Sequence, residues 1–91
     1  MTLSTPTIRN DFPGMNGKLT RVDVGRITYW FSYETCIAYS YKFENVARKN
    51  IWGTTTGKHL NYVHSDKASR VGADEFATLL AAAQADEAAT R

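Results

Sequence analysis

The residues able to do chemistry in this 91-residue chain are few: one cysteine, Cys36, two histidines, His59 and His64, and a glycine-flanked run, Gly53-Thr-Thr-Thr-Gly57-Lys58. The run invites comparison with a phosphate-cradling loop, which needs four residues between its glycines, then lysine, then a hydroxyl residue for the metal. Here three residues intervene and His59 follows the lysine, so nucleotide hydrolysis is not expected. Flexible backbone amides, Lys58 and a helix start can nonetheless hold one phosphate or carboxylate between them. Threonine caps at a strand-to-helix turn account for the same residues without any ligand. His59 and His64 are five apart, so on a helix they point about 140° from each other and cannot chelate as an i, i+4 pair would. A single cysteine excludes an intramolecular disulfide and a four-cysteine zinc site. With no carboxylate at ligand spacing either, no metal site is expected. Cys36 lies among small alternating residues, with nothing nearby in sequence to lower its pKa, which is the setting of an inert thiol. The paired carboxylates Asp74-Glu75 and Asp86-Glu87 read as solvated helix charges. The expectation is a protein that is not an enzyme and needs no cofactor, reversible only if Cys36 met a histidine in an open pocket.

Charge and aromatic residues are unevenly spread. Eleven bases against nine acids give a net charge of +2, which by itself demands neither nucleic acid nor an acidic membrane. Along the chain, however, residues 1–71 carry ten bases and five acids, a net of +5, and residues 72–91 carry a net of −3. Residues 42–70 hold Lys42, Arg48, Lys49, Lys58, Lys67 and Arg70 against Glu44 and Asp66. Trp52 and Tyr62 lie within that stretch and offer faces on which a base or a partner side chain could stack. The candidate binding residues, for a partner or a phosphate, are therefore Arg48, Lys49, Trp52, Lys58, His59, Tyr62, Lys67 and Arg70. Such aromatics and arginines serve protein and nucleic-acid interfaces alike. The sequence pI of about 8.8 is below the value above 9 typical of a dedicated nucleic-acid domain.

Elements must position these side chains, and the pattern supplies strands first and helices second. Pro6, Pro13, Gly14 and Gly17 punctuate residues 1–17, expected to be an irregular arm with a short strand over 7–10. Residues 18–24 alternate, with Val22 and Val24 opposite Arg21 and Asp23; residues 26–32 put Ile27, Tyr29 and Phe31 on one face. Residues 33–35 are the expected reversal. Residues 36–43 set Ile37, Tyr39, Tyr41 and Phe43 against Cys36, Ala38, Ser40 and Lys42. A further strand over 45–51 is plausible, a short helix over 59–64 follows, and 65–70 reads as loop. The last helix places Asp74 and Glu75 in its first turn, where the dipole favours anions, with Gly72 at the cap position. Phe76, Leu79, Leu80 and Ala83 form its apolar stripe, while its alanine-rich end, 81–89, offers little to bury and should fray. The expected domain, 18–91, is α+β: an antiparallel sheet of three to five strands, with one short and one longer C-terminal helix packed on one face.

The segment Asn50-Ile-Trp52-Gly-Thr-Thr-Thr-Gly57-Lys58-His59-Leu60-Asn61, followed by Arg70-Val71 and Phe76, resembles a small, functionally uncharacterised family found in bacteriophages. The resemblance covers roughly residues 35–80 and includes the strand Thr35-Cys-Ile-Ala-Tyr39. It implies a phage or mobile-element origin rather than a reaction. Small phage proteins without catalytic motifs commonly bind host machinery stoichiometrically, including defence nucleases and CRISPR surveillance complexes. The expected function is accordingly that of a non-enzymatic, phage-type accessory protein that inhibits or diverts a host protein or ribonucleoprotein complex. The alternative is a small nucleic-acid-binding module using residues 42–70. The N-terminus lacks the basic and apolar regions of a secretory signal, and no stretch approaches the ~20 apolar residues of a membrane span. A cytoplasmic location, no membrane partner, and a monomer or homodimer complete the expectation.

Overall fold

A computed structural model of the chain describes residues 5–90. Its sheet is a five-stranded antiparallel meander in the order of the sequence: β1 (Thr7–Arg9), β2 (Leu19–Val24), β3 (Ile27–Ser32), β4 (Thr35–Tyr41) and β5 (Glu44–Ala47). Two helices follow, α1 (Thr54–Val63) and α2 (Ala73–Thr90), with a single 3-10 turn at Lys67–Ser69 between them. The α+β class read from the sequence is the class observed.

Turn chemistry explains the meander. Asn16 and Gly17 both take positive φ, 54° and 71°, and close a tight turn in which the Lys18 amide bonds the Met15 carbonyl at 2.9 Å. That residue pair is the one a mirror-image turn selects. The turn joins the arm to β2 and buries Phe12 and Met15 in the core. Tyr33 (φ 56°) reverses β3 into β4, and Lys42 and Phe43 (φ 49° and 66°) reverse β4 into β5. Each non-glycine residue in this region costs on the order of 1 kcal/mol. Phe43, expected in the core, stands fully exposed at that hairpin tip.

A bulge divides the core in two. Trp30 pairs with Ala38 but Phe31 pairs with Cys36, so Ile37 is an extra residue in β4. The bulge breaks the alternation expected from the sequence: Ile37 and Ala38 share one cluster, and Cys36 joins Tyr39 in the other. On the first face, Phe12, Met15, Leu19, Ile37, Ala38 and Ala47 pack with Leu60 of α1, flanked by Trp30 and Val63. On the second, Ile27, Tyr39 and Tyr41 pack with Phe76 and Ala83 of α2. The helices therefore lie on opposite faces, where the sequence reading had set both on one. Ala38 and Ala47 are both buried with Leu60 of α1, so the small-residue face of the sheet is covered as well as the large one. Full burial of a leucine contributes about 1.5–3 kcal/mol. The chain changes face at the outer edge of β5, where the Val71 amide bonds the Ala47 carbonyl and the Lys49 amide bonds the Val71 carbonyl, at 2.9 and 2.8 Å. The expected strand over 45–51 ends at this parallel bridge between Arg48 and Val71.

Helix α1 starts five residues before the expected 59. Asn50 accepts hydrogen bonds from the amides of Trp52 and Gly53 at 3.0 and 3.3 Å and donates to the Gly53 carbonyl at 2.9 Å. This closed turn launches the helix at Thr54. Gly57, inside the helix, is where the chain needs closeness: a Cβ there would lie 2.9 Å from the Asn50 side-chain nitrogen. In α2, the Phe76 amide bonds the Gly72 carbonyl at 2.9 Å, as the cap position requires. Its far end does not hang free of the sheet. Tyr41 donates to Asp86 at 2.6 Å, Lys42 pairs with Asp86 at 2.7 Å, and Gln84 donates to the Tyr29 hydroxyl at 3.0 Å. Glu87 is only 2% exposed, so Asp86-Glu87 is a docking device rather than a solvated pair.

Candidate functional site

A polar cavity opens where the Met15–Lys18 turn, the β3–β4 turn and the start of α1 meet. It measures about 480 Å³. Gly14, Met15 and Asn16 form one wall, Lys18 and Tyr33 another, and Thr54, Thr55, Lys58 and His59 of α1 the third. No carboxylate among the described residues lines it.

Each functional side chain is held by local structure. Lys58 donates to the Gly14 carbonyl at 2.8 Å, which ties α1 to the arm and leaves two ammonium protons unused. Lys18 follows the Asn16-Gly17 turn and places its ammonium 5.9 Å from the centre of the Tyr33 ring. Tyr33 is fixed by its own turn geometry and by its amide bond to the Lys18 carbonyl at 2.8 Å. His59, one helical turn inside α1, is 1% exposed and its Nδ1 lies 2.7 Å from the Ser32 hydroxyl, which in turn lies 3.1 Å from the Thr56 hydroxyl. Burial, and then the neighbouring Lys58 ammonium, hold His59 below the ordinary histidine value. The helix start itself is bare. Gly53 is the cap residue, no side chain caps it, and no acid occupies the first turn. The expected threonine caps are absent because Gly53 occupies the cap position and the threonines fall inside the helix, Thr56 turning inward to Ser32. What remains is a set of unpaired amides at the positive end of a helix, flanked by two lysines.

The other residues singled out from the sequence do not gather at this cleft. Arg48 stacks its guanidinium 4.7 Å from the ring centre of Trp52 and 5.9 Å from that of Phe76. Lys49 is exposed beside it, and its backbone is engaged with Val71. Tyr62 makes an edge contact with Phe12, 5.7 Å between ring centres. Lys67 is exposed on the 3-10 turn. Arg70 is buried and donates to the Asn61 side chain at 3.0 Å and the His64 carbonyl at 2.9 Å, where it closes the C-terminal end of α1. Lys42 is engaged with Asp86 on the other face. Of the eight candidates, Lys58 and His59 belong to the cleft; Lys18 and Tyr33 join them there without having been anticipated, and Ser32 and Thr56 hold His59 from behind. The Asn16-Gly17 pair was the one local signal for Lys18; the others arrive through sheet register.

Cys36 and the histidines do not meet. Cys36 packs on the α2 face, its thiol pushed up by burial and donating to the Ala38 carbonyl at 3.6 Å, whereas His59 is on the α1 face and His64 bonds Ser69 at 2.6 Å. No group of three or more metal-ligating side chains occurs among the described residues, and none of their helices is long and apolar enough to cross a membrane. A second hollow, about 250 Å³, lies between β4 and α2 and is lined by Tyr39, Tyr41, Lys42, Leu79 and Asp86 among others. Leu79, expected over the sheet, sits at its half-exposed rim.

The fold and the cleft together define a small two-faced α+β domain with a basic, uncapped helix start. Residues 7–78 match the model of a family of unknown function, DUF8033, and the chain belongs to that family. No curated protein and no solved structure matches it.

Proposed function

We propose that the protein acts by stoichiometric, non-catalytic binding to another protein, through the loop that leads into α1. The observation that carries this reading is the exposure of Ile51 and Trp52 side by side, with the Arg48 guanidinium stacked on Trp52. Exposed aromatic and arginine side chains at one spot are the composition of an interface centre. The disposition of reactive groups supports the non-catalytic part. Ser32 and His59 form a nucleophile–base pair in type only: Ser32 is 2% exposed and does not line the cleft. The nucleic-acid alternative draws less support, since Arg70 is buried, Lys42 is paired with Asp86 and Arg48 is stacked. The phage-type setting, in which the partner is a host complex, rests on the resemblance of residues 50–61. Capture of partners on the tagged chain from bacterial lysate, quantified by mass spectrometry, tests the reading. One protein or complex recovered in near-equal amount is the expected result, and no stoichiometric partner under several conditions overturns it.

A further inference from the structure

We propose that the hairpin tip at Phe43 and the hollow beside it form one self-complementary patch, on which a second copy of this chain docks with each Phe43 ring in the other copy's hollow. The patch lies at the opposite end of β5 from Ile51 and Trp52, so the inference does not rest on the interface reading.

The tip supplies the knob. β4 and β5 close on the pair Tyr41 and Glu44, which leaves Lys42 and Phe43 as a two-residue turn with φ of 49° and 66°. Turns of that shape select Asn-Gly, and positive φ on a bulky side chain is an outlier. The strain brings no packing within the chain, because Phe43 is fully exposed and enters neither hydrophobic cluster. The turn is nonetheless fastened, with Lys42 paired to Asp86 of α2 at 2.7 Å. Strain held in an anchored turn that presents an aromatic ring to water points to recognition by that ring.

The hole is next to it. The hollow between β4 and α2 measures about 250 Å³ and is walled by Tyr39 and Tyr41 from the sheet and by Leu79, Ala82 and Ala83 from the helix. Roughly 150 Å³ accepts a benzene ring, so a phenyl side chain fits.

The arrangement selects a second copy as the occupant. Lys42 and Glu44, the neighbours of Phe43 in the chain, both line the hollow, so knob and hole share one patch. Such a patch closes under a twofold axis with two identical contacts, whereas a knob and a pocket set apart on the surface propagate an open chain. Charge agrees with this. Arg26, in the β2–β3 turn, is close enough for its charge to act on Lys42. Neither Arg26 nor Glu44 has an ion-pair partner among the described residues. Across a twofold axis the Arg26 of each copy pairs with the Glu44 of the other, where a patch of one sign would repel its own copy.

Sedimentation equilibrium of the full chain over a concentration series, with isotope-filtered NMR on mixed labelled and unlabelled chains, tests this. A reversible dimer in the micromolar-to-millimolar range is expected of so small a patch. Contacts should run from the Phe43 ring of one copy to the Ala82 and Ala83 methyls of the other. Phe43→Gly should weaken the dimer at least roughly tenfold, the loss of a buried aromatic anchor. It should keep native unfolding behaviour, since glycine adopts the left-handed turn without strain. Ala82→Arg fills the hollow from an exposed helix position and should remove the dimer in the same way. An equimolar mixture of these two variants keeps one intact contact and should associate more than either alone. Arg26→Glu and Glu44→Arg should each weaken the dimer severalfold and restore it when combined. A chain still monomeric at millimolar concentration, which would leave the tip to a foreign protein, overturns the proposal. So does growth beyond the dimer, a dimer indifferent to Phe43→Gly and Ala82→Arg, a mixture no better than its parts, or a combined charge swap that fails to restore association.

Discussion

The two faces of the sheet are closed by helices of opposite character. Under α2 the contact is large and aromatic: Phe76 meets Tyr39 edge-on at 5.7 Å, and the perimeter is pinned by Tyr41 and Lys42 on Asp86 and by Gln84 on Tyr29. Under α1, Leu60 and Val63 pack with Phe12, Met15, Leu19, Ile37, Ala38 and Ala47, beside a buried polar chain of Thr56, Ser32 and His59. The α2 face meets most of its polar groups at the rim, although Glu87 is buried. The other takes Thr56, Ser32 and His59 inside, leaves the first amides of α1 without a side-chain cap, and keeps a cleft open beside them. The aromatic packing under α2 is expected to carry the larger share of the stability, and the proposed binding loop leads into α1.

Substitutions separate the contributions of the two faces. Phe76→Ala should have the largest effect, about 3–5 kcal/mol, because a large aromatic is removed from a packed face. Leu60→Ala should follow at about 3 kcal/mol; denaturant unfolding measures both. A ranking with Leu60 well above Phe76 would contradict the assignment of stability to the α2 face. Ser32→Ala removes the only partner of a buried ring nitrogen and should cost about 1–3 kcal/mol, with His59 ring-nitrogen shifts moving while the α2 amides stay in place.

Acidification separates the faces by their titrating groups. His59 is held below the ordinary value, by burial first and then by Lys58. Above about pH 6.5 both folded and unfolded chains carry it neutral, and its full contribution is present. As the pH falls below that, the unfolded chain takes the proton first, and stability declines until the folded-state value is passed. Asp86 is held below the ordinary carboxylate value by Lys42 first and then by Tyr41. Its contribution persists above about pH 4 and is lost as the pH falls through its folded-state value. Hydrogen exchange should therefore show α1 losing protection near pH 6 and α2 holding until pH 4 is approached. Simultaneous loss would merge the two faces into one unit. Asp86→Asn should give the smallest effect, shrinking further with added salt, since the Lys42 pair is exposed and screened.

Much of this fold is legible in residue order. The alternation in 18–24 and 26–32, the reversal at 33–35, and the stripe Phe76, Leu80, Ala83 under a glycine cap lead directly to the observed strands and to α2. The bulge at Ile37 is not legible, because an extra residue in a strand is settled by packing on both faces and leaves the alternating pattern intact on paper. Phe43 misleads for a related reason: its place in the alternation is correct, but β4 ends first and the side chain lands on the turn. The segment 50–61 was read for chemistry and is largely architecture. Asn50 closes the turn before α1, Leu60 fills the core, and Asn61 holds Arg70. Thr54, Thr55, Lys58 and His59 of that run reach the cleft, and their neighbours Lys18 and Tyr33 come from turns about 25 to 40 residues before Lys58, a distance that local pattern does not span.

The central claim, that binding of a different protein belongs to the α1 side and not to the α2 side, is tested most directly by quantitative partner capture with paired variants. Trp52→Ala combined with Lys58→Glu alters the α1 side, and Leu79→Ser alters the rim of the second hollow, each checked for native unfolding behaviour. Loss of the captured partner with the first variant and its full retention with the second is the predicted result. Retention with the first and loss with the second would contradict the account.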